Sequence, residues 1–337
     1  MNSRERLHAI IAGETPDRCG FWLGNPDPAT WPIYYAYFGT ADQQAIRRQL
    51  GDDFSWVCPE LTPNTYRHPQ GRPMFPAVAD QTCHGAPGPL ALCDRVEELD
   101  QYEWPEVAYL DFEPCLEALR NSGLLYRASG MWTPFFHTVM ALFGFEQYLT
   151  RMYTHPELVT AVTDRVCTFY YEANERFYAQ AGNLVDGYFF GNDFGTQIDL
   201  MISPRLLDKF VLPWIRRFTA QARAHGYQVI LHSCGSIFQV IDRIVEAGVN
   251  CLHPLQALAR NMDAATLARN FRGRIAFMGG IDTQDLLVNG TPAQVKAEVR
   301  RVRGLLQPNL IVSPSHEALL PNVPPENVVA MAEAAYE

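Results

Sequence analysis

The chain has 337 residues, of which 47% are hydrophobic and 19% are charged. This composition supports a packed core and excludes the disordered, fibrous and low-complexity classes. Its 27 Lys and Arg against 37 Asp and Glu give a formal net charge of −10. Because nucleic-acid binders need clustered basic residues, and these are scattered, we expect a small-molecule ligand and no nucleic-acid partner.

The sequence gives no signal for export or for membrane insertion. The opening residues Met1–Arg6 lack an apolar segment, and no stretch reaches the roughly 18 apolar residues that a membrane-spanning helix needs. The eight cysteines form no CxxC pair, which is typical of a reducing cytoplasm and predicts that most of them are buried thiols. We therefore expect a cytoplasmic protein.

The order of the predicted elements indicates a single domain over residues 1–337. Residues 1–110 are rich in proline, and from about residue 111 short strands alternate with helices. Neither an internal repeat nor a linker divides the chain. We expect residues 1–110 to contribute loops over the mouth of a barrel.

Eight short apolar runs, each ending near Gly, Pro, Asn or Asp, predict eight buried strands. They span 18–24, 53–59, 124–130, 187–193, 228–235, 250–256, 275–282 and 309–316. Helix-start signals lie between them, at Ser203-Pro204 and at Thr291-Pro292. Eight strands, most of them followed by a helix, predict an α/β fold of the (β/α)8, or TIM-barrel, type. Chemistry then belongs at the carboxyl ends of the strands.

The ends of the first and fourth strands carry candidate substrate-binding residues. Trp22 and Asn25 follow the first strand and could contact a large apolar ligand, although aromatic clusters more often belong to ordinary packing. Asn192 and Asp193 end the fourth strand. Asn192 could bind a polar substrate and Asp193 could act as a catalytic acid or base, or the pair could form an Asx turn.

The fifth strand ends in His232-Ser233-Cys234. Side chains two residues apart in a strand point the same way, so His232 and Cys234 could both contact one metal ion. Zinc binds His nitrogen and Cys sulfur, and a catalytic zinc site has three protein ligands with one open position. The alternative is that both residues have only a structural role.

The sixth and eighth strands bring further candidates to the same mouth. The sixth supplies His253 and Gln256, the latter a candidate substrate-binding residue, and the eighth is followed by His316. His316 could be the third zinc ligand. Without a metal, His316 would be a catalytic proton-transfer residue, and Glu317 a loop carboxylate or a residue that supports the site from behind.

Several colinear motifs resemble the uroporphyrinogen decarboxylase superfamily. They are His-Ser-Cys-Gly at 232–235, Glu-Ala-Gly-Val at 246–249, Pro-Leu-Gln at 254–256, Gly-Gly-Ile-Asp-Thr at 279–283 and Pro-Pro-Glu-Asn at 324–327. The opening Gly-Glu-Thr-Pro-Asp-Arg at 13–18 is also similar. The resemblance implies a (β/α)8 barrel, in agreement with the strand count.

Two branches of this superfamily differ in their motifs. The tetrapyrrole decarboxylases carry arginines for substrate carboxylates after the first strand, whereas residues 21–27 here contain none. Uroporphyrinogen is therefore not an expected substrate. Corrinoid-linked methyltransferases use a His-x-Cys…Cys zinc site, which His232 and Cys234 match, while His316 stands in the place of the last Cys.

The resemblance favours a methyltransferase that moves a methyl group between a corrinoid and a thiol or methylated small molecule. It implies zinc as cofactor and a partner protein that carries the corrinoid. One alternative is a metal-free carboxy-lyase that acts on a tetrapyrrole or aromatic acid through Asp193 and His316. A protein that binds corrinoids or tetrapyrroles without catalysis is a third alternative. A homodimer is compatible with the sequence, which does not specify the methyl donor, the acceptor or the oligomeric state.

Overall fold

The computed structural model describes residues 1–76 and 86–337, and within these ranges eight parallel strands form one nearly closed barrel. The order around the sheet is β1-β8-β7-β6-β5-β4-β3-β2. The strands are β1 Gly20–Phe21, β2 Phe54–Trp56, β3 Tyr126–Ser129, β4 Gly187–Gly191, β5 Gln228–His232, β6 Cys251–Leu255, β7 Ala276–Ile281 and β8 Leu310–Pro314. β1 and β2 meet where the Asp53 amide donates to the Phe21 carbonyl at 2.9 Å. The predicted (β/α)8 barrel is confirmed.

One helix precedes the first strand and helices follow every strand, and several of them begin at capping residues that the sequence predicts. Ser203 accepts a hydrogen bond from the Leu206 amide, and Thr291 forms a capping box with Gln294. The helices are Ser3–Ala12, Trp31–Phe38, Gln43–Gln49, Glu113–Arg120, Phe135–Phe143, Phe145–Thr154, Pro156–Ala181, Pro204–Phe210, Leu212–Ala224, Ile241–Glu246, Ala264–Phe271, Leu286–Asn289, Pro292–Leu306 and Pro325–Tyr336. Helical starts are thus specified locally.

Two layers of apolar side chains hold the barrel together. The inner layer fills the barrel with buried residues from the strands, among them Phe54, Tyr126 and Phe189, and Leu7 and Ile10 of the first helix belong to the same cluster. A larger outer layer packs the strands against the surrounding helices. Each fully buried large side chain contributes about 1.5–3 kcal/mol. Because the interior is packed, ligands are confined to the rim.

The amino-terminal end of the barrel carries ion pairs around two buried carboxylates. Asp53, just before β2, lies 2.7 Å from Arg6 and 2.8 Å from Arg18. Asp186, just before β4, lies 2.6 Å from Arg4 and also contacts Arg127 and His8. These groups connect the first helix and its loop to the strands, so this end of the barrel has a structural role.

Within the described residues, no helix is long and apolar enough to cross a membrane. Six of the seven described cysteines are buried, Cys234 is half-buried, and Cys83 lies outside the described residues. Part of the proline-rich segment packs on the helix Pro156–Ala181, where Arg176 donates to the Val107 carbonyl at 2.6 Å. That residues 1–110 cover the barrel mouth stays a prediction.

Candidate metal centre at the barrel mouth

His232, the last residue of β5, lies at the centre of a cluster of potential metal ligands. Its ring is 5% exposed, and its Nε2 atom lies 3.2 Å from Asp193 Oδ1 and 3.4 Å from Cys234 Sγ. β4 and β5 are paired in register at Gly191 and His232, which places Asp193 beside the end of β5. The Cys234 amide donates to Asp193 Oδ1 at 2.8 Å. Three ligand atoms from two strand ends therefore converge.

The spacing of these atoms suits a zinc ion. Ligand atoms at 2.0–2.3 Å from a tetrahedral zinc are separated by about 3.3–3.8 Å. The separations of His232 Nε2 from Asp193 Oδ1 and Cys234 Sγ, 3.2 and 3.4 Å, are close to that range. One nitrogen, one sulfur and one oxygen donor form a ligand set that zinc accepts, with the fourth position left for substrate. The residues present therefore fit this metal.

The second ring nitrogen of His232 faces the next strand and the loop after β8. His232 Nδ1 lies 3.0 Å from His253 Nδ1 and 3.7 Å from Glu317 Oε2. These three residues form the other group of potential ligands in the described part of the chain. His253 Nε2 and Glu317 Oε2 are buried without hydrogen-bond partners among the described residues. The cluster thus contains polar atoms that the fold does not satisfy.

The carboxylates dominate the electrostatics of the cluster. Burial lowers the pKa of His232, but Glu317 and the hydrogen bonds with Asp193 and Cys234 raise it by more, so this pKa lies well above its usual value. Burial raises the pKa of Asp193, whereas the hydrogen bond and charge of His232 lower it by more, to a value below its usual range. Without a metal, a protonated His232 ring lies between two carboxylates. A cation is therefore favoured at this point of the mouth.

His253 and Cys234 are neutral in the same arrangement. Burial lowers the pKa of His253, and the neighbouring His232 and His316 lower it further, well below the usual value of a histidine. Burial raises the pKa of the Cys234 thiol, and the hydrogen bond with His232 offsets only part of this rise. Cys234 therefore needs a bound cation to become a thiolate near neutral pH.

Two indole rings form a wall beside the cluster. Trp132, just after β3, has its ring centroid 5.3 Å from that of His232, and Trp56 at the end of β2 lies 4.9 Å from Trp132. Gly191 is necessary here because a Cβ atom at this position would overlap the Trp132 ring. The wall gives one side of the mouth an aromatic surface next to the metal ligands.

The two predicted substrate-binding residues of the first strand, Trp22 and Asn25, have different surroundings. Trp22 is 1% exposed and packs on the rings of Phe54 and His253, so it lies beneath the cluster. The Asn25 amide donates to the Glu317 carbonyl, which joins the loops after β1 and β8. Roles of Trp22 and Asn25 in substrate binding stay predictions.

Asn192 is buried, and both ends of its side-chain amide are engaged. Its nitrogen donates to the Thr133 carbonyl at 2.9 Å, and its oxygen accepts from the Phe136 amide at 2.8 Å. In this structure Asn192 attaches the loop after β3 to β4, which holds Trp132 in place. Its predicted contact with substrate stays a prediction.

Gln256 and His316 lie at the mouth but outside both ligand groups. Gln256 Oε1 accepts from the Gly235 amide at 2.8 Å and so orients the turn that carries Cys234. His316 Nδ1 accepts from the Ala318 amide at 3.1 Å, and the side chain is 40% exposed. The sequence suggests His316 as the third zinc ligand, whereas in the structure Asp193 and Glu317 are the carboxylates near His232. Metal binding by His316 stays a prediction.

Sequence reasoning misses two features of this site. Trp132 follows the third strand directly, so the rule that barrel chemistry lies after strand ends could have identified it. The contact between His232 and His253 depends on the register of β5 with β6, which pairs these two residues. No spacing within one strand reveals such a contact.

The family model for uroporphyrinogen decarboxylase (URO-D) matches residues 127–337, and the chain belongs to this family. Among solved structures, a methyltransferase from Methanosarcina mazei has a similar fold, with a TM-score of 0.67 and 18% sequence identity. The alignment covers 99% of this chain and 98% of that one. No curated protein matches the sequence. The family assignment agrees with the resemblance carried by the motifs between His232 and Asn327.

Proposed function

We propose that this protein is a methyltransferase that moves a methyl group between a corrinoid and a thiol or methylated small molecule at a zinc site. The observation that carries the proposal is the convergence of Asp193, His232 and Cys234 at the mouth of the barrel. We assign the third ligand position to Asp193 because its Oδ1 atom lies 3.2 Å from His232 Nε2. His316 remains a candidate for proton transfer.

Zinc would lower the pKa of a bound thiol, which supplies a thiolate nucleophile near neutral pH. A free thiol with a pKa near 8.5 is only a few per cent ionised at pH 7, so this gain exceeds about tenfold. When they bind the metal, the Asp193 carboxylate and the Cys234 thiolate together carry two negative charges. These balance the two positive charges of Zn²⁺. A balanced site leaves the thiolate electron-rich and nucleophilic.

The chain's own residues position the reactants. Trp132 and Trp56 offer a flat apolar surface beside the ligands, suited to a ring or a methylated carbon. Asn192 fixes the loop that carries Trp132, and Gln256 fixes the turn that carries Cys234. In the proposed transfer, a substrate thiol would give up its proton to solvent, and its sulfur would form a bond to the methyl carbon while the bond from that carbon to the cobalt of the corrinoid breaks and its electron pair stays on cobalt.

The surroundings of the cluster argue against a polyanionic substrate. Among the described residues, no Arg or Lys forms an ion pair with Asp193 or Glu317; their charged neighbours are histidines. The segment 21–27 contains no arginine. A substrate with many carboxylates, such as uroporphyrinogen, would therefore meet carboxylates instead of guanidinium groups. The similar fold of the Methanosarcina mazei methyltransferase is a further support for methyl transfer.

The test is loss of the methylcobalamin absorption band in the presence of a panel of small thiols. We compare zinc-loaded wild type with His232→Ala and Cys234→Ala, and use Cys93→Ala as a matched control that removes a thiol elsewhere. We expect wild type and the control to demethylate the corrinoid, and both site variants to be slower by more than about 100-fold. Equal rates in all four proteins would contradict the proposal.

A parallel incubation under anaerobic conditions uses uroporphyrinogen as substrate. We expect chromatography of the oxidised porphyrins to show no loss of carboxylates. Turnover to products with fewer carboxylates, together with inactivity towards every thiol, would replace the methyltransferase by the carboxy-lyase.

A further inference from the structure

The Nδ1 atom of His232, which points away from Asp193 and Cys234, has one close polar neighbour. His253 Nδ1 lies 3.0 Å away, within hydrogen-bond distance, whereas Glu317 Oε2 lies 3.7 Å away. Because each ring nitrogen is a donor or an acceptor but not both, the tautomer of one ring determines that of the other. The two histidines therefore form a coupled pair.

A metal at His232 Nε2 selects one arrangement of this pair. Nε2 must be unprotonated to bind a metal, which leaves the proton on Nδ1. The proton then needs an acceptor, and the unprotonated Nδ1 of His253 provides it. In the opposite arrangement His253 would donate to His232 Nδ1, and the proton on His232 Nε2 would prevent metal binding.

The fold holds the His253 ring firmly at this position. The Ser233 amide donates to the His253 carbonyl at 2.7 Å, and His232 and His253 are register partners in β5 and β6. The ring packs between Trp22 and Phe189, whose centroids lie 5.1 and 5.4 Å away, and the residue is 1% exposed. Orientation of the acceptor is thus built into the barrel interior.

The remaining nitrogen of His253 has no hydrogen-bond partner among the described residues. A buried polar atom left unsatisfied costs about 1–3 kcal/mol, so an apolar residue would serve the packing of this strand better. The stability of the fold does not explain a histidine here. Among the described residues, the one hydrogen bond of the His253 ring is to His232, the central residue of the proposed metal centre.

We propose that His253 is a positioning residue, which accepts the Nδ1 proton of His232 and so holds His232 in the tautomer and orientation that bind zinc. This inference rests on the proposed zinc site. Ligand-supporting residues of this kind change metal affinity by about 10–100-fold when removed. Glu317, at 3.7 Å, contributes its charge but not a direct hydrogen bond.

The test compares His253→Asn with His253→Leu. Asparagine places its side-chain oxygen near the position of Nδ1 and keeps an acceptor, whereas leucine fills the space without one. The readouts are the affinity for Zn²⁺ in competition with a chromophoric chelator, the absorption spectrum of the Co²⁺-loaded protein, and thermal unfolding without metal.

We expect His253→Leu to bind Zn²⁺ about 10–100-fold more weakly than wild type and to shift the Co²⁺ bands. Without metal its unfolding temperature should stay close to that of wild type, because loss of the unsatisfied Nε2 atom of His253 offsets loss of the acceptor for the Nδ1 proton of His232. His253→Asn should retain an affinity within about threefold of wild type, since its acceptor remains. Wild-type affinity in His253→Leu, or equal losses in both variants, would overturn the inference.

Cys234→Ala separates this inference from the proposed function. If Cys234→Ala loses Zn²⁺ while His253→Leu binds it as well as wild type does, the zinc site stands and only the role of His253 is wrong. If wild type itself fails to bind Zn²⁺, the zinc site and the inference both fall.

Discussion

The carboxylates at the two ends of the barrel have different partners. At the amino-terminal end, Asp53 is fully buried between Arg6 and Arg18, and Asp186 is surrounded by the side chains of Arg4, Arg127 and His8. At the carboxyl-terminal end, the carboxylates of Asp193 and Glu317 face histidines and a thiol. In the described part of the chain, the mouth also holds the unpartnered polar atoms Trp56 Nε1, His253 Nε2, Ser313 Oγ and Glu317 Oε2.

The difference separates stability from function within one fold. Paired charges at the amino-terminal end connect the first helix to the strands, and breaking one pair leaves a buried charge without compensation. The mouth instead accumulates carboxylates and unsatisfied atoms, which cost stability and prepare a place for a cation. Loss of a carboxylate at the amino-terminal end should therefore mainly lower stability, whereas loss of one at the mouth should mainly weaken metal binding.

The largest stability effect should come from Asp53→Asn, with Asp193→Asn as its counterpart at the mouth. Asp53→Asn removes the carboxylate that Arg18 contacts and leaves Arg6 paired with Asp17 alone, and it should lower the free energy of unfolding by about 3–5 kcal/mol. Asp193 is partly exposed, so Asp193→Asn should change the free energy of unfolding by no more than about 1 kcal/mol. The same substitution should weaken zinc binding. Urea denaturation of the metal-free proteins measures both changes in stability. Equal destabilisation by Asp53→Asn and Asp193→Asn would contradict the proposed difference between the two ends of the barrel.

Acid should remove part of the stabilisation at the amino-terminal end. Burial raises the pKa of Asp186, but hydrogen bonds from His8, the Arg127 amide and Arg4 lower it by more, so it lies below the usual 3.8. A carboxylate whose folded-state pKa is depressed stabilises the fold above pH 3.8, and this contribution is lost as the pH falls through the folded-state value.

The variant that isolates this effect is Asp186→Asn. We expect it to be less stable than wild type at pH 7, and the difference to shrink as the pH falls below 4. Urea midpoints across this pH range give the measurement. A difference that stays constant with pH would mean that Asp186 acts through its shape and hydrogen bonds alone.

A smaller effect is expected from Gly191→Ala at the mouth. The added methyl group would overlap the Trp132 ring, which must move away from His232. Overpacking of this kind costs about 1–3 kcal/mol. Tryptophan fluorescence and the unfolding free energy test the displacement, and Gly304→Ala in the helix Pro292–Leu306 is a control whose added methyl group meets no neighbour. An unchanged spectrum in Gly191→Ala would contradict the described contact.

The smallest effect is expected from Ser313→Ala in β8. The Ser313 hydroxyl is buried and has no hydrogen-bond partner among the described residues. Removing an unsatisfied buried polar group should raise the free energy of unfolding by up to about 1 kcal/mol. Loss of stability in a urea titration would show that this hydroxyl is satisfied in solution.

Much of the fold can be predicted from the sequence because it is specified locally. All eight predicted strands contain an observed one, and the helices after Ser203 and Thr291 begin where capping residues predict them. β1 and β2 are only two and three residues long, so the apolar runs 18–24 and 53–59 extend well beyond the strands they contain. Local patterning identifies each unit, and closure of the barrel follows from their number.

The site is less predictable, because its contacts join different strands. The pair His232 and Cys234 lies within one strand end and can be read directly from the sequence. The approach of Asp193 depends on the pairing of β4 with β5, and that of His253 on the pairing of β5 with β6. His316 and Glu317 are adjacent in sequence, and only the path of their loop decides which of them faces His232.

The most direct test of a metal centre at the mouth is elemental analysis of the protein after expression with added zinc and purification under reducing, chelator-free conditions. We predict about one zinc per chain for wild type and for Cys93→Ala, and a stoichiometry close to zero for Cys234→Ala. Wild-type protein without zinc, or a Cys234→Ala variant that retains the full complement, would contradict the account.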